Sequence, residues 1–353
     1  MTRRLIAMAT VIGIALIAAP AASTAAGLRT PMQGLLDRTG KAADPSGVVN
    51  GIVANARWAD LQSSESGGIT HPNAIDAALK TARTWKAEHP SGPEMSVKIR
   101  LLAGIHAPRW AKSLDGEPIP YPNPDSTQSI GRFWTADFRD AYEDLQKELV
   151  DEYGDEPEIR EVTISRCTTI YAEPFIRQMS DLNAAKALIG NGYTSEQDEQ
   201  CQKDQVEAHQ TWDGTGIRHT LAFNPYQRVD GDRDADGNVT NVVRKVDVAF
   251  TEKMMETCRD ILESACVLGN NSIRASSMGS AYDRMYDEIE DHGPPIYFQT
   301  AAAANLDDLK KTLDWAIRQG ANSVELPSNY TSLISGKKLA VWDARLEANP
   351  IGS

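Results

Sequence analysis

Short apolar runs alternate with stretches of helical period along almost the whole chain, and each apolar run gives way to polar and aromatic residues before the next helix begins. Strands spaced this way need a helix to carry the chain back between them, so the pattern calls for a parallel sheet covered by helices. The strands read as 48–61, 97–102, 161–174, 220–223, 266–268, 295–298 and 323–326. Helical spacing is clearest over 72–88, 135–153, 250–265, 282–292 and 306–318. In the last of these Leu306, Leu309, Leu313 and Ile317 share one face and Gly320 supplies the C-cap. Thr194 and Gln197 form a capping box that opens another helix.

Seven strands fall one short of a closed (β/α)8 TIM barrel of the α/β class, so an eighth is expected as a short first strand inside 27–47, a segment that otherwise reads as irregular. An open doubly wound sheet is the alternative, but the Gly-rich phosphate turn it would carry after its first strand is absent. A chain of 353 residues accommodates the barrel as a single domain over 48–353.

The N-terminus has Arg3 and Arg4, an apolar run over 5–19, Pro20, and small residues up to Ala26. This matches a secretory signal peptide over 1–26, cleaved after Ala25 or Ala26, and the run is shorter than the roughly 20 residues that cross a bilayer. A secreted or extracytoplasmic protein without stable membrane insertion is therefore expected. The formal net charge of −13 argues against nucleic acid or an anionic membrane as partner. In an exported chain the four cysteines are expected to form two disulfides, and no CxxC or CxxH spacing suggests zinc. Of the three possible pairings, the closeness of Cys258 and Cys266 favours that pair, leaving Cys167 with Cys201.

The predicted strand ends carry Trp58, Asp60, His106, Trp110, Tyr171, Glu173, Asn224, Tyr226, Asn270, Asn271, Arg274, Gln299 and Glu325. Flat aromatic rings cover the C–H faces of pyranose rings, while amides and carboxylates take hydroxyl groups, so this composition suits a carbohydrate cleft. Neither a GxSxG elbow nor HExxH is present. Glu173, set before Pro174, is the candidate general acid/base, with Glu325 or Asp60 as the partner carboxylate. Trp85 and Trp315 lie on helices and read as core.

The segment RWADLQ, then a helix, a strand and HAPRW, then a strand ending in Ala172 and Glu173, resembles the (β/α)8-barrel glycoside hydrolases of the retaining clan that includes β-galactosidases and cellulase-like enzymes. The resemblance covers 48–174. It implies that Trp58 and Asp60 close the second strand, that the segment with Trp110 follows the third, and that Glu173 is the acid/base at the end of the fourth. Two residues depart from that pattern. Ala172 stands where the clan has Asn, and Gln299 stands at the seventh strand, where the clan places its nucleophilic glutamate, with Glu325 one strand later. The resemblance thus implies an exported glycosidase, and Gln299 opens the alternative of a barrel that binds carbohydrate without hydrolysis. A wall-associated structural protein is a third reading with only export behind it.

Asp232, Asp234 and Asp236, followed by Gly237, match the first half of a calcium loop, although Val243 stands where the closing glutamate belongs. A structural calcium is the one metal suggested, and no organic cofactor is expected.

Overall fold

Residues 34–37, sequence GLLD, form the strand that periodicity leaves hidden. It is too short for alternation to register, and it is fully buried, so no polar face marks it. The computed structural model describes residues 27–42, 47–92, 94–123, 126–176, 179 and 181–352, and the signal peptide expected at 1–26 lies outside them.

Eight parallel strands close into a barrel: β1 (Gly34–Asp37), β2 (Gly51–Arg57), β3 (Ser96–Leu102), β4 (Ile159–Thr163), β5 (Arg218–Ala222), β6 (Cys266–Ile273), β7 (Ile296–Thr300) and β8 (Ser323–Leu326). Closure runs through β1, where Gly34 pairs with Ser323 of β8 and Leu36 with Gly51 of β2. The doubly wound alternative is thereby excluded. Helices Ala74–Glu88, Ala136–Tyr153, Val248–Leu262, Ser280–Asp291 and Leu309–Arg318 occur where the 3.6-residue spacing predicts them, each within a few residues. Thr194 caps its helix by accepting from the Gln197 amide, and Gly320 holds φ at +75° past the end of Leu309–Arg318.

Three readings change. The 161–174 run is strand only as far as Thr163, because Thr168 and Thr169, which look like strand residues, are buried in an irregular segment. Within it the Thr168 hydroxyl donates to the Tyr171 carbonyl at 2.5 Å, and the Ile105 amide donates to Thr169 at 2.9 Å. Gly104, at φ +52°, permits that approach, since a Cβ there would run into the Thr169 carbonyl. Trp58 and Asp60 belong to a one-turn helix, Trp58–Leu61, rather than to β2 itself. The Pro-rich stretch 114–127, which reads from sequence as a loop, contributes to an antiparallel hairpin, Ile119–Asn123 with Ser126–Ile130, because Ile119 and Tyr121 alternate with prolines and bury one face.

The barrel interior is charged. Lys98 and Arg100 of β3, Glu161 of β4 and Glu325 of β8 meet inside it, all nearly or fully buried. The Lys98 ammonium lies 3.2 Å from Glu325 and 3.3 Å from the centre of the Tyr297 ring. Gly269 leaves the room that the Tyr297 ring occupies. Outside the strands two large apolar clusters pack sheet against helices and supply the driving force for folding.

Disulfides join Cys167 to Cys201 and Cys258 to Cys266, the pairing expected. The first ties the irregular segment after β4 to helix Ser195–Ala208.

Candidate active site at the barrel mouth

The carboxyl ends of the strands surround a cleft of about 410 Å³. Arg38 follows β1, Asn55 comes from β2, Arg100 from β3, His106 from the turn after it, Tyr171 and Glu173 from the segment after β4, Asn271 from β6, Gln299 from β7 and Asn305 from the loop beyond. Active sites of this fold sit on this face, since its loops vary without disturbing the barrel. Glu173 is the one carboxylate lining the cleft among the described residues, and it is 7% exposed.

Of the residues predicted from sequence, Glu173, Tyr171, His106, Asn271 and Gln299 are brought together here. Tyr171 is half exposed, and its ring is the most open aromatic at the mouth. Gln299 donates from Nε2 to the Asn271 carbonyl at 3.0 Å, and Asn271 Oδ1 accepts from the Tyr297 hydroxyl at 3.0 Å. Burial, then the charges of Arg57 and Lys112, push the His106 imidazole below its ordinary value, so it is neutral near pH 7.

Others go elsewhere. Trp58 is fully buried, stacked edge-on against Trp110, Phe138 and Tyr142, with its indole N–H donating to Gln62 at 3.0 Å. Trp110 is half-buried in the same cluster and donates to the Gln62 carbonyl at 3.3 Å. Asp60 is exposed and does not line the cleft. Tyr226 opens a second hairpin, Tyr226–Arg233 with Val239–Asp247, and donates to the buried Asp198 at 2.9 Å. Asn270 is fully buried, donating to the Phe223 carbonyl at 2.6 Å and accepting from the Tyr286 hydroxyl at 3.1 Å. Asn224 accepts from the Tyr282 hydroxyl at 3.2 Å, away from the mouth. Arg274 lines a separate pocket on the barrel flank.

Glu325 sits beneath the cleft, without exposed surface, ion-paired to Arg100 and Lys98. Burial alone would push its carboxyl up, but the charges of Arg100 and Lys98 outweigh it and hold it below the ordinary carboxylate range. Arg100 also donates to Asn55 at 3.3 Å, so one guanidinium spans from the buried pair to the cleft wall. Arg38 donates to the carbonyls of Leu326 at 2.6 Å and Thr300 at 2.5 Å, and burial, partly offset by Glu325, lowers it to about 10.

Arg38, Asn55, Arg100 and Asn305 are mouth residues that sequence reasoning missed. The visible signal for Arg100 was its place in VKIRLL, where two cations alternate inside an otherwise apolar strand. Arg38 follows the hidden strand and had no signal of its own.

Asp232, Asp234 and Asp236 lie in or beside the turn of the second hairpin. Asp234 accepts from the amides of Asp236 and Asn238 at 3.0 and 2.8 Å, while Asp232 accepts from Asn241 at 2.9 Å. Among the described residues no group of three or more His, Cys, Asp or Glu is placed to hold a metal ion.

No protein-family model and no curated protein matches the sequence. Solved structures do match. The catalytic domain of a β-amylase from Paenibacillus polymyxa is similar over 92% of this chain and 100% of its own length, at 10% identity and a TM-score of 0.54. The shared fold is the (β/α)8 barrel. A mannanase catalytic domain from Streptomyces sp. SirexAA-E is similar over 98% of both chains at 12% identity and a TM-score of 0.45. A β-galactosidase from Rahnella sp. R3 matches over 90% of this chain and 56% of its own, at 10% identity and a TM-score of 0.49. At these identities the likeness is one of fold, and the chemistry must come from the cleft itself.

Proposed function

We propose that this chain is an exported glycoside hydrolase whose barrel mouth holds a sugar chain and whose Glu173 protonates the leaving oxygen of a glycosidic bond. The observation that carries the reading is Glu173 itself, the one carboxylate on the described cleft wall, within electrostatic reach of Arg100 and surrounded by neutral amides and an aromatic ring suited to hydroxyl groups and a pyranose face. Both the leader at 1–26 and the two disulfides support export. In this reading Glu325 positions Arg100 instead of attacking carbon, because its carboxylate is sealed below the cleft. The nucleophile is then a group of the substrate, and Glu173, deprotonated once it has protonated the leaving oxygen, takes the proton of the water that opens the intermediate.

A specific observation favours a second reading, carbohydrate binding without cleavage. Gln299 is the penultimate residue of β7, and Glu325, its partner on β8, is neutralised by two buried cations. Calorimetric binding and reducing-end release with soluble α-glucan, mannan, galactan and xylan separate the two. For a hydrolase, wild type releases reducing ends from at least one polymer, and Glu173→Gln loses turnover by about 10²-fold or more while affinity changes little. Binding without turnover in wild type supports the second reading, and neither binding nor turnover overturns both.

A further inference from the structure

The end of β6 and the loop that follows it face two cavities. Asn271 and Ser272 of β6 line the mouth, and from Arg274 onward the loop lines a pocket of about 330 Å³ on the barrel flank. Helix Ser280–Asp291 gives this pocket Asp283, Tyr286 and Asp287, and helix Leu309–Arg318 with the residue beyond it gives Trp315 and Gln319. Trp315 is half-buried and packed edge-on against Tyr286 at 4.8 Å between ring centres. Two polar groups of the lining lack partners. Arg274 Nε and Gln319 Oε1 are shut off from solvent without a hydrogen-bond partner, an arrangement that costs free energy unless something fills the site.

We infer that this flank pocket is a second carbohydrate-binding site that holds a distal sugar of the same polymer whose nearer residue lies in the mouth. An indole face with a guanidinium, two carboxylates and an amide around it matches one hydroxylated ring: the aromatic covers C–H groups and the polar groups take hydroxyls. A volume of this size falls in the range of small-ligand sites. Because a single loop separates the two cavities, a polymer that occupies both is held at two points, and the second contact acts at high effective concentration. The inference rests on the carbohydrate reading of the mouth, but its residues are separate from those assigned to proton transfer.

The test uses the full protein in affinity electrophoresis through gels containing soluble starch, mannan, galactan or xylan, with turnover of aryl disaccharide glycosides as a readout of the mouth alone. Trp315→Ala is expected to weaken retention by the polymer that binds wild type by about tenfold, the loss of one aromatic platform, with disaccharide turnover preserved. Arg274→Met, which removes a side chain that donates no hydrogen bond among the described residues, tests the site without disturbing the Trp315 packing, and is expected to weaken retention in the same selective way. Unchanged retention in both folded variants overturns the inference while leaving the mouth reading intact. An equal loss on polymer and disaccharide also overturns it, because it would mean that Trp315 acts on the mouth through its packing against Phe298. If wild type is retained by none of the polymers, this inference fails, and the mouth reading fails with it only where no disaccharide is turned over either; if Glu173→Gln leaves turnover intact while Trp315→Ala loses retention, only the assignment of Glu173 fails.

Discussion

Glu325 and Glu173 are both glutamates near the top of the same barrel, and depth separates their roles. Glu325 has no surface and two cations at hand, so it stabilises charge that is already buried; Glu173 keeps an open side toward the cleft. Removing one member of a buried pair leaves the other uncompensated, which costs about 3–5 kcal/mol. Glu325→Gln is therefore expected to lower stability by that order in urea unfolding, since Arg100 and Lys98 lose their shared counter-charge. A Glu325→Gln protein as stable as wild type would contradict the pairing. In sequence the two glutamates looked alike, because a strand end places a side chain at the barrel top without saying whether a neighbour covers it. Arg100 is that neighbour, and it comes from a strand far away in the chain.

At the scale of elements, Glu173 depends on an irregular segment rather than on a strand. Ten positions separate it from the end of β4, and the chain between is held by the Cys167–Cys201 disulfide and by the Thr168 and Thr169 contacts. Its β-branched residues carried a strand signal because burial selects the same side chains in a packed loop. The hairpin formed from the Pro-rich stretch was missed for the opposite reason, since prolines hid an alternation of Ile119 and Tyr121 that survives on an edge strand. Helices, strand order and disulfide pairing were legible, because they rest on spacing that tertiary contacts seldom override. The two disulfides differ in consequence. Cys167–Cys201 spans 34 positions and Cys258–Cys266 only 8, so loop-closure entropy makes the first about 1 kcal/mol more stabilising. Replacing Cys167 and Cys201 by serine is expected to lower Tm more than replacing the other pair, and to reduce turnover as well. Equal turnover in both double variants would show that the segment bearing Glu173 holds itself in place.

The whole molecule couples its charge state to pH through groups far from the mouth. His209 and His219 are fully buried with Nδ1 atoms 3.2 Å apart, and Tyr142 lies 3.1 Å from His209 Nε2. Burial lowers His219 to about 3, and burial with the neighbouring His219 lowers His209 well below its ordinary value. Unfolded imidazoles take up a proton near 6.5, so below that pH the unfolded chain binds more protons than the fold does. The contribution of the pair is thus present above about 6.5 and is lost as pH falls toward 3. Asp198 and Asp343, raised by burial to about 6 and about 7, run the other way, which is why a difference between two proteins is the clean measure. The Tm advantage of wild type over His219→Asn is expected to shrink steadily from pH 7 to pH 4, and a constant difference would show that the imidazole takes up its proton equally in the folded and unfolded states. The closed barrel that holds all of this was readable from alternation, whereas the mouth was only half readable, because cleft residues are chosen by three-dimensional convergence from six strands.

The central claim is that a glycosidic bond lies against Glu173, and the most direct test is a crystal structure of Glu173→Gln soaked with an oligosaccharide of the polymer that wild type cleaves. The account predicts a sugar ring in the mouth with its glycosidic oxygen within hydrogen-bond reach of residue 173. A sugar bound elsewhere, or in the mouth with that oxygen turned away from residue 173, would contradict it.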